Sequence, residues 1–117
     1  MNNAFIETLS SAIDEFAKER DWQQFHSPKN LSMALIVEAA ELVEHFQWLS
    51  ERQSEELDPD KRAAVAEELA DILIYTLRLA SQMEIDLGSA AWAKLEKNRH
   101  RYPVEKARGT ARKYTEL

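Results

Sequence analysis

The sequence of 117 residues contains no cysteine, which excludes disulfide bonds, thiolate zinc sites and a cysteine nucleophile. It contains only two glycines and three prolines, and such sparse turn signals favour long helices over many short strands. It has no run of eighteen apolar residues and no basic start followed by an apolar segment, so neither a membrane span nor a signal peptide is expected. The lack of cysteine suits the cytosol, and we predict a cytoplasmic protein.

The sequence also has fewer basic than acidic residues, with 15 against 21, so its formal net charge is −6. A protein that binds the phosphate backbone of nucleic acid needs a basic surface, so we expect no nucleic-acid partner. An acidic balance leaves room for a divalent cation. Hydrophobic residues make up 44% and charged residues 31%, and this globular mixture at this length predicts one domain over residues 1–117.

The spacing of apolar residues predicts four helices and an all-α fold. Ser27 and Asp58 are good N-cap residues, and each is followed by a proline that fits the first helical position. The linker "SERQSEELD" is expected to be irregular, and a basic tail is expected after Pro103. The helices are predicted from about Asn3 to Arg20, from Pro28 to about Leu49, from Pro59 to about Glu84, and from Asp86 through "LGSAAWAKLEKNRHR".

The second predicted helix carries carboxylates among its apolar residues. At 100° per residue, Glu38 lies in the middle of the apolar stripe, Glu41 lies about 60° away at its edge, and Glu44 lies about 120° away toward solvent. A lone buried carboxylate costs several kcal/mol unless it is paired or neutralised. Because this helix has no basic residue after Lys29, a partner must be a metal ion or come from another helix.

The third predicted helix repeats the pattern with Glu68 and Asp71, which share a face with Tyr75 and Arg78. Taken alone, this face is typical of a solvated acidic stripe, with Arg78 as a partner for Asp71 or for a substrate phosphate. If the two long helices pack antiparallel, however, the two carboxylate pairs meet midway. Oxygen ligands of this kind select Mg²⁺ or Mn²⁺, which commonly bind substrate phosphates as well.

These motifs resemble the all-α nucleoside triphosphate pyrophosphohydrolases of the MazG-like superfamily. The metal signature of that superfamily matches Glu38-x-x-Glu41 followed by Glu68-x-x-Asp71. The segments "ERDWQQFH", "AELVEHFQW", "EELADILIY", "NRHRYPV" and "KYT" appear in the order typical of its dCTP pyrophosphatase branch. The resemblance covers nearly the whole chain.

The resemblance implies Mg²⁺-dependent hydrolysis, with Mn²⁺ as a substitute, of a deoxynucleoside triphosphate to the monophosphate and pyrophosphate. The substrate would be dCTP or a related or modified deoxynucleotide, and the role would be house-cleaning of the nucleotide pool. The implied fold is a four-helix bundle with two long antiparallel central helices, completed by oligomerisation. The implied assembly is a homodimer or homotetramer with shared active sites.

The resemblance also assigns roles to individual residues. It implies metal binding by Glu38, Glu41, Glu68 and Asp71. The predicted catalytic residues are Glu38, Glu41 and Glu44, and either Glu41 or Glu44 could be the general base. Ile13 stands where the branch often has histidine, which leaves the preferred base open. The residues implied to contact substrate are Ile13, Trp22, Phe25, His26, Trp48, Tyr75, Lys94, Asn98, Arg99 and Tyr102.

Two alternatives stay open at this stage. One is a non-catalytic helical interaction module whose acidic face is simply solvated. The other is a di-iron bundle, although the Glu-x-x-His spacing of such sites is missing, since Leu42 and Lys97 stand three residues before His45 and His100. Several site candidates also have structural interpretations, with Trp22 and Phe25 as loop anchors and His45 as an interior histidine.

Overall fold

The computed structural model of the protein describes residues 4–117, which form six α-helices and no β-strand. The helices are α1 (Ala4–Glu19), α2 (Pro28–Glu44), α3 (Glu51–Glu55), α4 (Pro59–Gln82), α5 (Leu87–Arg101) and α6 (Val104–Ala107). Single 3₁₀ turns span Gln23–Phe25 and Tyr114–Glu116. The predicted all-α class is confirmed, while the expected start of α1 at Asn3 lies outside the described residues.

The helix starts follow the predicted capping signals. The Ser27 hydroxyl accepts a hydrogen bond from the Asn30 N–H at 3.1 Å, and the Asp58 carboxylate accepts one from the Lys61 N–H at 2.8 Å. Asp86 does the same for the Ser89 N–H at the start of α5. Each cap satisfies an N–H group that lacks a partner within its helix, which fixes where α2, α4 and α5 begin.

The predicted continuation of α2 to about Leu49 is wrong, because the helix ends at Glu44. The Phe46 and Leu49 N–H groups bond carbonyl oxygens three residues back, so residues 45–49 form tight turns. Ser50 then caps α3 in a reciprocal capping box with Gln53. The pattern Ser-x-x-Gln is a sequence signal for a new helix start, and it makes the expected irregular linker helical.

The second difference lies beyond Pro103, where the expected irregular tail contains the short helix α6. Pro103 lies immediately before α6 rather than ending regular structure. Further on, the Tyr114 ring meets the Tyr102 ring edge-on at 6.0 Å, and the Arg101 guanidinium lies 4.6 Å from the Tyr114 ring centre. These contacts hold the end of the chain against the end of α5.

The chain divides into two compact units, the first ending at Ile85 and the second spanning Asp86–Leu117. The prediction of one domain over residues 1–117 concerns independent folding and stays a prediction. In the first unit α4 packs against both α2 and α1. Leu31 of α2 and Leu77 of α4 are fully buried, with Ala17 of α1 and Ala80 of α4 beside them in the core.

Helices α2 and α4 are antiparallel, as predicted. Glu38 in the middle of α2 lies close to Glu68 in the middle of α4. His45, just after α2, lies close to Lys61 near the start of α4. The two contacts pair residues in opposite chain directions, so the helices are antiparallel and the two carboxylate pairs lie at the same position along the helix axes.

Many apolar side chains of the first unit face outward. On α2 they recur at three- and four-residue spacing, as a stripe we call the outer apolar face: Met33, Ile36, Val37 and Val43. Leu69 and Leu73 of α4 are also exposed. Among the helices of residues 4–117, none is long and apolar enough to cross a membrane.

Candidate active site

Three carboxylates converge between α2 and α4. Glu38, Glu41 and Glu68 each offer an oxygen atom, and these oxygens lie within 4.8 Å of one another. All three side chains are half-buried. One oxygen each of Glu38 and Glu68 is buried without a hydrogen-bond partner among residues 4–117. We call this group the acidic cluster. Its buried, unsatisfied oxygens are the donor set that a hard divalent cation takes.

The crowding of negative charge changes the acidity of Glu38. Burial is the main cause that raises its pKa to about 7, followed by hydrogen bonding to Glu41 and Glu68 and by the charges of Glu41 and Asp71. A protonated Glu38 can donate a hydrogen bond to a neighbouring carboxylate, whereas an ionised one only adds repulsion. Asp71 therefore acts on the acidic cluster through its charge, although its oxygens are not among the three that converge.

Two basic side chains, His45 and Lys61, lie near Glu68 of the acidic cluster. His45 Nε2 lies 3.8 Å from a Glu68 oxygen, and Lys61 Nζ lies 3.3 Å from His45 Nδ1. His45 is half-buried, as its interpretation as an interior histidine requires. Since Lys61 is always a donor, its contact favours a proton on His45 Nε2, directed at Glu68. The positive charge of this pair is that of Lys61, which contacts His45 rather than a glutamate of the acidic cluster.

Arg78 of α4 is a buried charged residue, with 5% of its surface exposed. Its Nη1 donates to an Asp14 oxygen at 2.8 Å, and the other Asp14 oxygen accepts from the Ser81 hydroxyl at 2.6 Å. Its Nε donates to His26 Nδ1 at 3.0 Å. Of the two partners predicted for Arg78, Asp71 is wrong, and a substrate phosphate stays a prediction. Asp14 of α1 takes that place, because α1 packs along the end of α4 where Arg78 lies.

A cavity of about 240 Å³ opens beside Arg78. It is mainly apolar and aromatic, with a few polar groups, as is typical of small-molecule sites. Its lining consists of Ile13, Phe16, Ala17, Trp22, His26, Asp71, Ile74, Tyr75 and Arg78. We call it the aromatic cavity. The structure thus brings five predicted substrate or metal residues together: Ile13, Trp22, His26, Asp71 and Tyr75.

Aromatic contacts and a hydrogen bond hold the part of the cavity wall that contains His26. Trp22 packs edge-on against the Phe16 ring at 5.6 Å and against the His26 ring at 6.1 Å. The His26 carbonyl accepts a hydrogen bond from the Gln82 side chain at 2.9 Å. Burial, followed by the charge of Arg78, lowers the pKa of His26 below its usual value. The imidazole is therefore neutral at physiological pH.

Other predicted site residues of the first unit lie elsewhere. Phe25 is exposed and does not line the aromatic cavity. Trp48 is 87% exposed, so it packs on almost nothing within its own chain. Glu44 is the last residue of α2, is exposed and stands outside the acidic cluster. The solvent-facing angle predicted for Glu44 agrees with this position, and its role as a base stays a prediction.

The remaining candidates belong to the second unit. Lys94, Asn98 and Arg99 are on α5, and Tyr102 follows its last residue. Arg99 forms an ion pair with Glu96 at 2.9 Å. The assignment of these four residues to the substrate phosphates stays a prediction.

Two charged residues of the site, Asp14 and Lys61, were absent from the sequence-based candidates. Asp14 lies on the side of α1 that meets α4, and its sequence neighbourhood gives no sign of a distant arginine. Lys61 could have been found, since it stands seven residues before Glu68 just as His45 stands seven residues after Glu38. Antiparallel helices with Glu38 facing Glu68 must then bring His45 to Lys61.

Comparison with known proteins gives consistent results. The model of the MazG-like family matches residues 33–117. The chain is 50% identical to dCTP pyrophosphatase 1 of Rattus norvegicus over 114 residues, which is 96% of this chain and 67% of that protein. The protein of the same name from Homo sapiens gives the same identity and coverage.

A solved structure is also similar. It is the crystal structure of a pyrophosphatase from Archaeoglobus fulgidus, which superposes with a TM-score of 0.80 at 38% sequence identity. The match covers 88% of this chain and 96% of the archaeal one. The helical arrangement around the acidic cluster is therefore shared with an enzyme of experimentally determined structure.

Proposed function

Because the chain belongs to the MazG-like family and is a nucleoside triphosphate pyrophosphatase, we propose that its substrate is dCTP or a related or modified deoxynucleotide. The products would be the deoxynucleoside monophosphate and pyrophosphate, and the role would be house-cleaning of the nucleotide pool. The name of the relatives that are 50% identical over 96% of the chain supports this choice.

One observation carries the proposal. Asp71 connects the two halves of the site, because its charge acts on Glu38 in the acidic cluster and its side chain lines the aromatic cavity. A nucleotide has the same two halves, a polyanionic phosphate chain that needs a cation and a flat base that stacks on aromatic rings. The site therefore suits a nucleotide better than inorganic pyrophosphate, which has no use for the cavity.

The acidic cluster fits a divalent cation. Glu38, Glu41 and Glu68 offer only oxygen atoms, and two of these are buried without a hydrogen-bond partner among residues 4–117. This chemistry supports Mg²⁺, with Mn²⁺ as a substitute, held by the three glutamates together with Asp71. When bound, the cation neutralises phosphate charge and makes a bound water more acidic.

The chain's own residues would perform the other tasks. A water molecule attacks the α-phosphorus, the bond from that atom to the bridging oxygen breaks, and pyrophosphate leaves with the bridging oxygen. Of the two candidate bases, Glu41 lies in the acidic cluster and Glu44 lies outside it, which favours Glu41 to take the water's proton. Trp22 and Tyr75 would hold the nucleoside, and Lys94, Asn98, Arg99 and Tyr102 would bind the phosphates.

A nucleotide panel tests this function. Purified protein with Mg²⁺ is expected to release pyrophosphate from at least one deoxynucleoside triphosphate, with dCTP or 5-modified dCTP among the best substrates. Chelation with EDTA should abolish the release, and Mg²⁺ or Mn²⁺ should restore it. Absence of pyrophosphate from every nucleotide of a canonical and modified panel would overturn the proposal, as would release that persists in EDTA.

We also propose that the active protein is a homo-oligomer, a dimer or tetramer, with shared active sites. The outer apolar face of α2 supports this, since Ile36 is 66% exposed and Met33, Val37 and Val43 lie beside it. Exposed apolar stripes of this extent typically mark protein interfaces. Trp48, largely exposed in its own chain, would reach the substrate only through such an assembly.

Light scattering of the purified protein is expected to give at least twice the 13.5 kDa of one chain. Ile36→Glu would place a charge in the outer apolar face and should shift the mass toward the monomer. A wild-type mass of 13.5 kDa at micromolar concentration would contradict the assembly.

The alternatives recede on specific grounds. A non-catalytic interaction module does not agree with membership of an enzyme family. A di-iron site would need His ligands spaced three residues after a glutamate, and the acidic cluster is built from glutamates alone. The predicted cytoplasmic location stays a prediction.

A further inference from the structure

The hydrogen bond from Arg78 determines which nitrogen of the His26 ring carries the proton. A guanidinium has donors only, so the 3.0 Å contact from Arg78 Nε makes His26 Nδ1 an acceptor. A neutral imidazole that accepts at Nδ1 carries its proton on Nε2. His26 lines the aromatic cavity, and none of residues 4–117 forms a hydrogen bond with its Nε2. The ring therefore presents an available donor.

Arg78 has one nitrogen without a hydrogen-bond partner among the described residues. Its Nη1 is held by Asp14 and its Nε by His26, but its Nη2 is buried without a hydrogen-bond partner among the described residues. Because this atom is inaccessible from outside, it does not reach a ligand in the cavity. Arg78 and His26 both line the aromatic cavity. The donor that this wall offers to a ligand is therefore the Nε2–H of His26, and Arg78 acts through it.

The support behind Arg78 is rigid. Both Asp14 oxygens are engaged, one by Arg78 at 2.8 Å and the other by the Ser81 hydroxyl at 2.6 Å. Asp14 comes from α1, whereas Arg78 and Ser81 come from α4. The guanidinium is thereby held by a charge-assisted bond from a second helix, which restricts its rotation.

A single fixed donor can select among pyrimidines at N3. Cytosine presents two adjacent acceptors, N3 and O2, while the N3 of uracil or thymine carries a hydrogen. We propose that Arg78, held by Asp14 and Ser81, is the specificity-determining residue that keeps His26 as an Nε2–H donor, so that the cavity accepts the acceptor edge of cytosine and rejects uracil. The inference rests on the proposed function and adds to it the residues that would read the base.

The first test needs no substitution in the wall. Histidine labelled with ¹⁵N shows by NMR which ring nitrogen carries the proton, and His26→Gln identifies the His26 signals among the three histidines. The wild-type protein is expected to show a neutral His26 with the proton on Nε2 at pH 7. A proton on Nδ1, or a doubly protonated ring, would overturn the proposal.

The second test compares dCTP with dUTP, which differ only at the 4-position and at N3. Wild-type protein should prefer dCTP in kcat/KM, and Arg78→Met should lower that preference by roughly tenfold, which is about the worth of the one His26 hydrogen bond that depends on the tautomer. In Arg78→Met the His26 signals should also lose their single tautomer. Arg52→Met is the matched control, because Arg52 is an exposed residue of α3 that pairs with Glu56, and it should retain the wild-type preference.

The outcomes separate the two claims. If no nucleotide yields pyrophosphate, the proposed function fails. If pyrophosphate is released but the wild type treats dCTP and dUTP alike, the function stands and this inference fails. It fails as well if Arg78→Met lowers both substrates equally and leaves the His26 tautomer unchanged. Should Arg78→Met not fold by circular dichroism, the wild-type tautomer and the wild-type preference still decide.

Discussion

Replacement of Glu38 by glutamine should lower Mg²⁺-dependent pyrophosphate release by more than about a hundredfold, while the helical fold persists. Glutamine keeps the size of the side chain but removes the negative charge that would face the cation. The neighbouring Glu41 and Glu68 remain, yet the three converging oxygens are reduced to two carboxylates and an amide. Pyrophosphate release from the best nucleotide of the panel measures the effect, and circular dichroism checks the fold.

The matched control is Glu55→Gln, the same chemical change at an exposed position of α3. It should leave pyrophosphate release within about twofold of the wild type, as is usual for surface substitutions. Glu38→Gln with nearly wild-type activity would remove Glu38 from the site and, with it, the assignment of the acidic cluster.

Glu38 also predicts how the metal-free protein responds to pH. Its pKa is raised from 4.5 to about 7 in the folded chain, so between these values the folded state binds more protons than the unfolded state. The free energy of unfolding must then fall as pH rises through this range and level off above it. Allowing for the partial exposure of the side chain, the loss is about 1–2 kcal/mol.

Urea unfolding in EDTA at pH 5 and pH 8 measures this loss, which should be much smaller in Glu38→Gln. Equal pH dependence in the two proteins would show that Glu38 is not the group responsible. Added Mg²⁺ should raise the wild-type stability at pH 8, because a cation bound to the folded state alone stabilises it.

The second large effect is expected at Trp22. Trp22→Ala should reduce kcat/KM for the nucleotide roughly tenfold or more, mostly through a higher KM, since stacking of one base on an aromatic ring is worth about 1–3 kcal/mol. The residue lines the aromatic cavity and supports the His26 ring. Steady-state kinetics with the preferred nucleotide measure the change, and an unaltered KM would exclude Trp22 from the base site.

Trp48 provides the informative comparison. Within one chain it is 87% exposed and outside the aromatic cavity. If the assembly brings it to the base of a nucleotide bound by a partner chain, Trp48→Ala should raise KM to a similar degree without changing the mass in light scattering. An unchanged KM would contradict the assignment of Trp48 to the substrate and leave that of Trp22 intact.

The acidic cluster was predictable because it depends on periodicity and on one topological rule. The angle of Glu38 within an apolar stripe identified a carboxylate that needs a partner, and a short connection favoured antiparallel packing of the two long helices. With that packing, the two carboxylate pairs could meet midway, and Glu68 does lie beside Glu38. The same periodicity correctly turned Glu44 outward.

The aromatic cavity could not be predicted in the same way, because its polar wall depends on contacts between residues far apart in sequence. The sequence offered Asp71, on the same helical face, or a substrate phosphate as partners for Arg78, whereas Asp14 of α1 binds it. Angles along one helix say which side chains share a face, but not which side of α4 meets α1. The end of α2 was missed for a different reason, since local turn bonds and the Ser50 capping box outweigh the apolar pattern up to Leu49.

Helix α4 runs unbroken from Pro59 to Gln82 and carries Glu68 and Asp71 toward one end of the site and Arg78 toward the other. Ten residues separate Glu68 from Arg78, which corresponds to a rise of about 15 Å along the axis. Because a helix has a fixed rise, the distance along the axis between the acidic cluster and the guanidinium that positions His26 is also fixed. If a nucleotide binds as proposed, one whose phosphate chain is too short to span this distance would occupy one end of the site but not both.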